Sequence, residues 1–311
     1  MKPIVAASAL SRRGNDHVLT LASVLADEPL EVVVPEGLWR PANFDGRHRG
    51  PVTLRQALEQ SLNVPFARLG LEVGLVRVVE TARRFGITSP LRPLPAVSLG
   101  AFEVTPLEIT AAYAVFAAGG VRSEPRHTLA VLRPDGRVRG GQNVRRERVL
   151  EEAESYLVVS ALRGAVERGT ARSLHELGVR GPVAGKTGTS DAARDAWFVG
   201  FTPDLVIGVW VGYDGDERLG LTGSEAALPI FAEFAKGALA RALPRPFAVP
   251  KRIEVVEVDP ASGLRAGPGC RGYEEVFLAD SAPRKRCKGD PWAFLRGWRH
   301  RFGLARPRAA G

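Results

Sequence analysis

The chain has 311 residues, a formal net charge of +9 and a pI near 10.1, with 45% apolar and 25% charged residues. This composition is typical of a globular protein and excludes a disordered or fibrous chain. No apolar run approaches the ~20 residues that a membrane span needs, and no signal-peptide pattern is visible, so the sequence by itself predicts a soluble chain.

The predicted elements of the first third are mostly helical. Thr53 and Gln56 form a capping-box pattern, and Pro65 separates the helix that they begin from the next one. Residues 30–50 are rich in Pro, Gly and Asn and are expected to be irregular. The helices expected here cover residues 3–10 (buried), 53–60, about 65–73 and about 75–85.

The middle of the chain predicts two longer helices around a polar hairpin. Thr105 and Pro106 are typical of a helix start, and Gly119 is typical of its end. The Pro-Asp-Gly sequence at 134–136 predicts the hairpin turn, and Gly169 ends the second helix. The two helices are expected at 105–118 and 151–167.

The character of the sequence then changes to β-rich. Three segments at 183–190, 196–202 and 205–214 are joined by short turns and predict an antiparallel meander. A helix over 226–243 is expected to lie against it. A small hairpin is expected between 253–259 and 264–267. The fold class is therefore α/β of the α+β type, a helical cluster packed on an antiparallel sheet.

Positive charge is carried by 37 arginines and only six lysines, at positions 2, 186, 236, 251, 285 and 288. Lysine differs from arginine in that burial or neighbouring charge can lower its pKa enough for it to lose its proton. Arginine-rich coding bias explains the ratio, and the six positions that keep lysine are therefore candidates for a specific role. Lys186 begins a Lys-Thr-Gly-Thr-Ser sequence on the first predicted strand, where charge, hydroxyls and a close backbone approach suit an anion. An ordinary polar strand is the alternative interpretation.

Ser61 and Asn63 lie at the break between two predicted helices. Alone, they are typical of a helix stop and a helix cap. Together with the Lys-Thr-Gly sequence about 120 residues later, they match two of the three motifs that penicillin-binding proteins and class A β-lactamases share.

The wider sequence resembles the transpeptidase half of bifunctional, class A penicillin-binding proteins from residue 1 to about 240. The stretches that carry the resemblance are PANFDG, GPVTLRQALEQSLNVP, SLGAFEVTPLEITAAYAVFAAGG, RGTA and DAWFVGFTPDLVIGVWVGYD. The resemblance implies the penicillin-binding transpeptidase fold, related to that of β-lactamases. We expect this domain at 1–248 and an appendage at 249–311 with a hairpin, a cysteine pair and a basic tail.

The first motif of that family, Ser-x-x-Lys-Pro, is represented only by its end. Met1-Lys2-Pro3 resembles that end, so Lys2 aligns with the motif lysine and the nucleophilic serine falls two residues before Met1. We expect Met1 to be an internal residue of a longer protein, although a deliberate truncation or a decayed gene gives the same pattern. The family's early strands, membrane anchor and glycosyltransferase domain lie upstream, so an unpaired sheet edge and poor stability are expected.

The resemblance implies peptidoglycan D,D-transpeptidation through a serine ester, at the extracytoplasmic face of the bacterial membrane. The implied partners are stem peptides ending in D-Ala-D-Ala and β-lactams. The chain as written is expected to be inactive, because the serine is absent. The implied catalytic residues are Lys2, Ser61, Asn63, Lys186 and Thr189, and the implied substrate-binding residues are Thr187, Gly188, Thr189 and Ser190.

Two other functions stay open: a D,D-carboxypeptidase or β-lactamase-like serine acyl-enzyme, and a non-catalytic binder of cell wall or nucleic acid. The segment 284–308 carries nine basic residues and one acid, interleaved with Trp292, Phe294, Trp298 and Phe302. A solvated tail is the favoured interpretation, contact with an anionic envelope surface comes second, and nucleic acid is the least favoured partner. Without 284–311 the net charge is only +1.

No metal or cofactor is expected. The five histidines are scattered, and Cys270 and Cys287, which enclose 16 residues, lack the spacing of a zinc site. The two cysteines fit a disulfide outside the cytoplasm, or remain free thiols.

Overall fold

A computed structural model describes residues 1–11, 19–141, 144–215, 217–240 and 244–288. Its helices are α1 (Lys2–Leu10), α2 (Leu54–Glu59), α3 (Asn63–Val73), α4 (Leu75–Arg84), α5 (Pro106–Ala117), α6 (Glu152–Glu167) and α7 (Ala227–Leu239). Its strands are β1 (Val24–Asp27), β2 (Val32–Val34), β3 (Gly37–Trp39), β4 (Gly50–Thr53), β5 (Val121–Ser123), β6 (Val131–Leu132), β7 (Val138–Gly140), β8 (Arg146–Arg148), β9 (Ala184–Thr189), β10 (Ala196–Phe201), β11 (Val206–Val211), β12 (Ile253–Val258) and β13 (Tyr273–Leu278).

The first helix lies at the centre of the helical cluster. All nine residues of α1 are buried, and α1 packs against α2, α3, α4 and α6. Small side chains such as Ala6 and Ala9 let those helices approach closely, and Ile4 and Leu10 fill the space between them. The predicted buried helix at 3–10 is confirmed.

Helix starts predicted from capping patterns are also confirmed. The Thr53 side chain accepts from the N–H of Gln56, and the Gln56 side chain accepts from the N–H of Thr53. Thr105 and Glu108 form the same reciprocal pair at the start of α5. Each pair satisfies N–H groups that the first helical turn leaves free.

The central sheet contains three of the described strands, in the order β11-β10-β9, all antiparallel. α7 packs on β10 and β11, and α6 packs on β9. Phe198 of β10 meets Phe231 of α7 edge to face, with ring centroids 4.7 Å apart. The predicted meander and the helix against it are confirmed, while positions 241–243 of that predicted helix lie outside the described residues.

Two predictions about strands need correction. The predicted hairpin between 253–259 and 264–267 forms only at its turn, where Arg265 bridges Val258 and the N–H of Asp259 donates to the oxygen of Leu264. The partner of β12 over its full length is β13. Pro268 directly follows the expected second strand and has no N–H to donate, whereas all six residues of β13 pair with β12. The region 30–50 is not wholly irregular, because β2 and β3 pair across the turn at 35–36, and Gly37, which begins β3, has φ +128°.

The C-terminal strands pack on the rest of the molecule. Leu278 belongs to the large hydrophobic core, and Ile253 packs against it. Cys270 and Cys287 form a disulfide. The boundary at 248 stays a prediction. The predicted aromatic-basic tail from Trp292 onward lies outside the described residues.

Breaking that disulfide should loosen the segment that it closes. We expect Cys270→Ser combined with Cys287→Ser to lower the free energy of unfolding by up to about 3 kcal/mol, since a closed loop of this length restricts the unfolded chain. Denaturant unfolding measures this loss. A reductant should lower the stability of the wild-type protein to that of the double variant and leave the variant unchanged. Equal stability of the variant and the oxidised wild type would contradict the prediction.

None of the helices in the described part of the chain is long and apolar enough to cross a bilayer.

Candidate active site

Three separate segments supply the candidate site: the start of α1, the break between α2 and α3, and β9. Lys2 lies in the first turn of α1 and is 9% exposed. Its Nζ donates to the backbone oxygen of Ser61 at 2.7 Å and to Oδ1 of Asn63 at 2.7 Å, and it lies 3.2 Å from Oγ of Ser61. The structure therefore brings together three of the predicted site residues through one amine.

The backbone at Ser61 explains part of this geometry. Ser61 has φ +58°, in the left-handed region that non-glycine residues seldom adopt. Such conformations persist where surrounding contacts hold them, and they concentrate at functional sites. Here the strained residue offers both its carbonyl and its hydroxyl oxygen to the same amine.

Two buried amines set the electrostatics of the site. Burial lowers the pKa of Lys2 well below its usual value, and the nearby charge of Lys186 lowers it further. Burial lowers the pKa of Lys186 to about 7. Both effects disfavour the charged form of the amine. A lowered pKa favours the unprotonated amine, and an unprotonated amine can accept a proton from a neighbouring hydroxyl group.

The remaining predicted residues lie along β9, and their hydrogen bonds go to other partners. Lys186 Nζ donates to the backbone oxygen of Thr187 at 2.8 Å. Oγ1 of Thr189 accepts the N–H of Gly223 at 3.1 Å, and Oγ of Ser190 accepts the N–H of Asp195 at 2.8 Å. Thr187, Thr189 and Ser190 are thus held in place by the protein itself and do not bond to Lys2.

A loop lies close beside this strand. A Cβ atom at Gly223 would come within 2.5 Å of the backbone oxygen of Gly188 and within 2.3 Å of that of Trp197. Only glycine permits so close an approach. Gly188, predicted to bind substrate, therefore has a second stretch of backbone directly beside it.

Sequence reasoning missed several residues that support the site. The Oγ1 of Thr170 lies 2.6 Å from that of Thr187, and the N–H of Thr170 donates to the oxygen of Glu59, two residues before Ser61. Thr170 therefore links the α2–α3 break to β9. It belongs to the RGTA stretch that carried the resemblance, but that stretch gave no role for it.

Asn43 is the second missed residue. Its Oδ1 accepts the N–H groups of Asn63 and Val64 at 2.8 and 3.2 Å. The sequence predicts a start of this helix near residue 65. The two hydrogen bonds from Asn43 explain why α3 begins earlier, at Asn63. An asparagine in a Pro- and Gly-rich loop is a signal for such capping, but it does not reveal which helix is capped.

Comparison with known proteins shows the family of this chain. Residues 1–236 match the family described as penicillin binding protein transpeptidase domain. Penicillin-binding protein 1A of Aquifex aeolicus is 37% identical over 290 residues, which is 92% of this chain and 39% of that protein. The Rickettsia conorii protein of the same name is 37% identical over 267 residues, 77% of this chain and 34% of its own length. The chain thus spans little more than a third of these curated relatives.

Solved structures show the same fold. The crystal structure of penicillin-binding protein 1A from Haemophilus influenzae superposes with a TM-score of 0.84 at 29% identity, covering 92% of this chain and 48% of that one. PonA1 from Mycobacterium tuberculosis, in complex with penicillin V, superposes with a TM-score of 0.65 at 26% identity, covering 80% of this chain and 70% of that one.

Proposed function

Since the chain belongs to the penicillin-binding protein transpeptidase family, we propose that it carries the acyl-transfer site of a peptidoglycan D,D-transpeptidase of class A. The observation that carries the proposal is the single amine of Lys2 that contacts both Ser61 and Asn63. A low-pKa amine placed against a hydroxyl and an amide is the arrangement that serine acyl transfer requires of its base and its proton relay.

The first half of the reaction transfers the donor peptide to a serine. The hydroxyl oxygen of that serine attacks the carbonyl carbon of the penultimate D-Ala, and Lys2 Nζ takes the hydroxyl proton. The C–N bond to the last D-Ala then breaks. Ser61 passes a proton from Lys2 to the leaving amine, and an ester joins the peptide to the serine.

The second half transfers the peptide to an amine. The acceptor amine attacks the ester, its proton goes to the base, and the serine leaves with a proton, which restores the starting state. Asn63 orients the donor peptide's amide. Lys186, Thr187 and Thr189 hold its terminal carboxylate, and the N–H of Thr189 donates to the oxyanion.

We propose that the nucleophile is the serine of the family's first motif. The resemblance places it two residues before Met1, and Lys2 is the second residue here. We therefore propose that the 311-residue chain binds stem peptides and β-lactams without forming an ester. The membrane location and the upstream glycosyltransferase partner, both implied by the class A resemblance, remain part of the same proposal.

Binding and labelling test this proposal separately. We expect diacetyl-L-lysyl-D-alanyl-D-alanine to bind in calorimetry, with about tenfold or greater loss in Lys186→Met, since the peptide's carboxylate loses its cation. Lys236→Met, on the exposed face of α7, is the matched control and should bind normally. Fluorescent penicillin should leave no covalent label. No peptide binding, or a covalent label on the chain, would contradict the proposal.

A gain of labelling tests the mechanism directly. Placing Ser-Gly directly before Met1 completes the Ser-x-x-Lys motif with Lys2, and we expect this extended chain to acquire a covalent penicillin label. The same extension with Ala-Gly should acquire none. Equal labelling of the two would exclude the added serine as the nucleophile.

A further inference from the structure

A buried polar cluster lies beside the candidate site, in the loop that joins β3 to β4. Asp27, at the end of β1, has no exposed surface, and Asn43 is 5% exposed. Nδ2 of Asn43 donates to both carboxylate oxygens of Asp27, at 2.7 and 2.9 Å. The N–H of Arg49 donates to the same carboxylate at 3.0 Å, and the ring of His48 lies 3.6 Å from it. The carboxylate is thus fixed by backbone and side-chain donors.

This carboxylate decides which way the Asn43 amide faces. An ionised carboxylate only accepts hydrogen bonds, so the NH₂ group of Asn43 must face Asp27. The second hydrogen of that NH₂ group goes to the backbone oxygen of Arg47 at 2.7 Å. The amide oxygen of Asn43 must therefore point the other way, toward the N-terminus of α3.

At the N-terminus of α3, Asn43 supplies the capping hydrogen bonds that the residue before a helix usually makes. Leu62, the residue before α3, has no side chain that can accept a hydrogen bond. Asn43 Oδ1 accepts the N–H groups of Asn63 and Val64 instead. The same loop holds the Asn63 side chain, because Nδ2 of Asn63 donates to the backbone oxygen of Ala42 at 2.8 Å. Oδ1 of Asn63 is left facing Lys2 Nζ at 2.7 Å.

We propose that Asp27 and Asn43 are positioning residues, which hold Asn63 so that its amide oxygen stays on the amine of Lys2. Neither of the two contacts Lys2 itself, so they act only through Asn63. The proposal rests on the proposed function, in which Lys2 is the base and Asn63 orients the donor peptide. It gives the PANFDG stretch, which contains Asn43, a role in the reaction.

The first test observes the Lys2 amine without any ligand. Lysine labelled with ¹³C at Cε gives one resonance for each of the six lysines, and Lys2→Arg assigns that of Lys2. We expect Asn63→Ala to shift the Lys2 resonance and its titration. Asn43→Ala and Asp27→Asn should reproduce that shift. Adding Asn43→Ala to Asn63→Ala should produce no further shift, because Asn43 acts only through Asn63.

A control and an exchange separate positioning from stability. Glu31→Gln removes an exposed carboxylate before β2, where Glu31 pairs with Arg40, and should leave the Lys2 resonance unchanged. Combining Asp27→Asn with Asn43→Asp restores a donor at 27 and an acceptor at 43. The combined variant should bring the Lys2 resonance closer to wild type than either single change. A lower melting temperature with an unshifted Lys2 resonance would overturn the proposal.

The second test uses the diacetyl-lysyl-D-alanyl-D-alanine peptide. We expect Asn43→Ala to weaken binding about as much as Asn63→Ala, roughly tenfold, with no further loss in the double variant. Absence of binding to the wild type would defeat the proposed function, while the Lys2 resonance would still test positioning. Wild-type binding with an unaffected Asn43→Ala variant would defeat the positioning role alone.

Discussion

Raising the pH from 7 to 9.5 should increase the free energy of unfolding by about 3 kcal/mol through Lys186 alone. The pKa of Lys186 is about 7 in the folded protein and 10.5 in the unfolded chain. Between these values the unfolded chain binds the proton and the folded protein does not, so stability rises with pH. The penalty is complete below pH 7 and disappears through pH 10.5. Lys2 acts in the same direction, since its folded pKa is also lowered.

Denaturant unfolding at several pH values measures this slope. The range ends at 9.5 because burial raises the pKa of Tyr113, whose titration in the unfolded chain opposes the trend at higher pH. Lys186→Met should remove the pH dependence that Lys186 contributes and be more stable than wild type at pH 7, with the difference shrinking as the pH rises. Lys236→Met, where Lys236 forms an exposed pair with Glu233, should keep the wild-type slope. An unchanged slope in Lys186→Met would refute the assignment.

Glu275→Ala should lower the free energy of unfolding by about 3–5 kcal/mol, because it leaves a buried guanidinium without its main partner. Glu275 has no exposed surface, and its two carboxylate oxygens accept from Nε and Nη2 of Arg55, each at 2.6 Å. Arg55 also donates to Glu59 at 3.1 Å, and these carboxylates raise its pKa. Glu59, which also pairs with Arg168, is then the remaining carboxylate beside a guanidinium whose side chain is only 6% exposed.

Matched variants isolate the effect of burial. Glu233→Ala removes a carboxylate from an exposed pair on α7 and should change the stability by no more than about 0.5 kcal/mol. Replacing both partners, as in Arg55→Met with Glu275→Leu, should be less harmful than Glu275→Ala, since no buried charge is left unpaired. Chemical denaturation compares the three variants. Equal losses of free energy of unfolding in Glu275→Ala and Glu233→Ala would show that the buried pair contributes no more to stability than the exposed one.

Local signals account for what could be predicted of the fold. The starts of α2 and α5 follow from side chains three residues apart, Thr53 with Gln56 and Thr105 with Glu108. The partner of β12 could not be predicted in this way, because strand pairing depends on distant residues. The Arg55–Glu275 pair spans 220 positions, and no local pattern reveals it.

The same division holds for the site. Ser61, Asn63 and Lys186 could be identified because the order and spacing of their motifs are specific. Their supports could not, since Asp27 lies in a short strand without a recognisable motif and reaches Asn63 only through Asn43. A chain of hydrogen bonds between separate segments becomes visible only in the folded structure.

The burial of α1 has a consequence for synthesis on the ribosome. Its nine residues are covered by α2, α3, α4 and α6, and α6 ends at Glu167. At roughly 5–20 residues per second, α1 waits about 10 to 30 seconds before its last partner has been made. During that time the helix that carries Lys2 exposes an apolar surface. A chaperone that covers this surface should therefore increase the yield of folded protein. Faster folding of any single element should help less, because the last partner of α1 has not yet been synthesised.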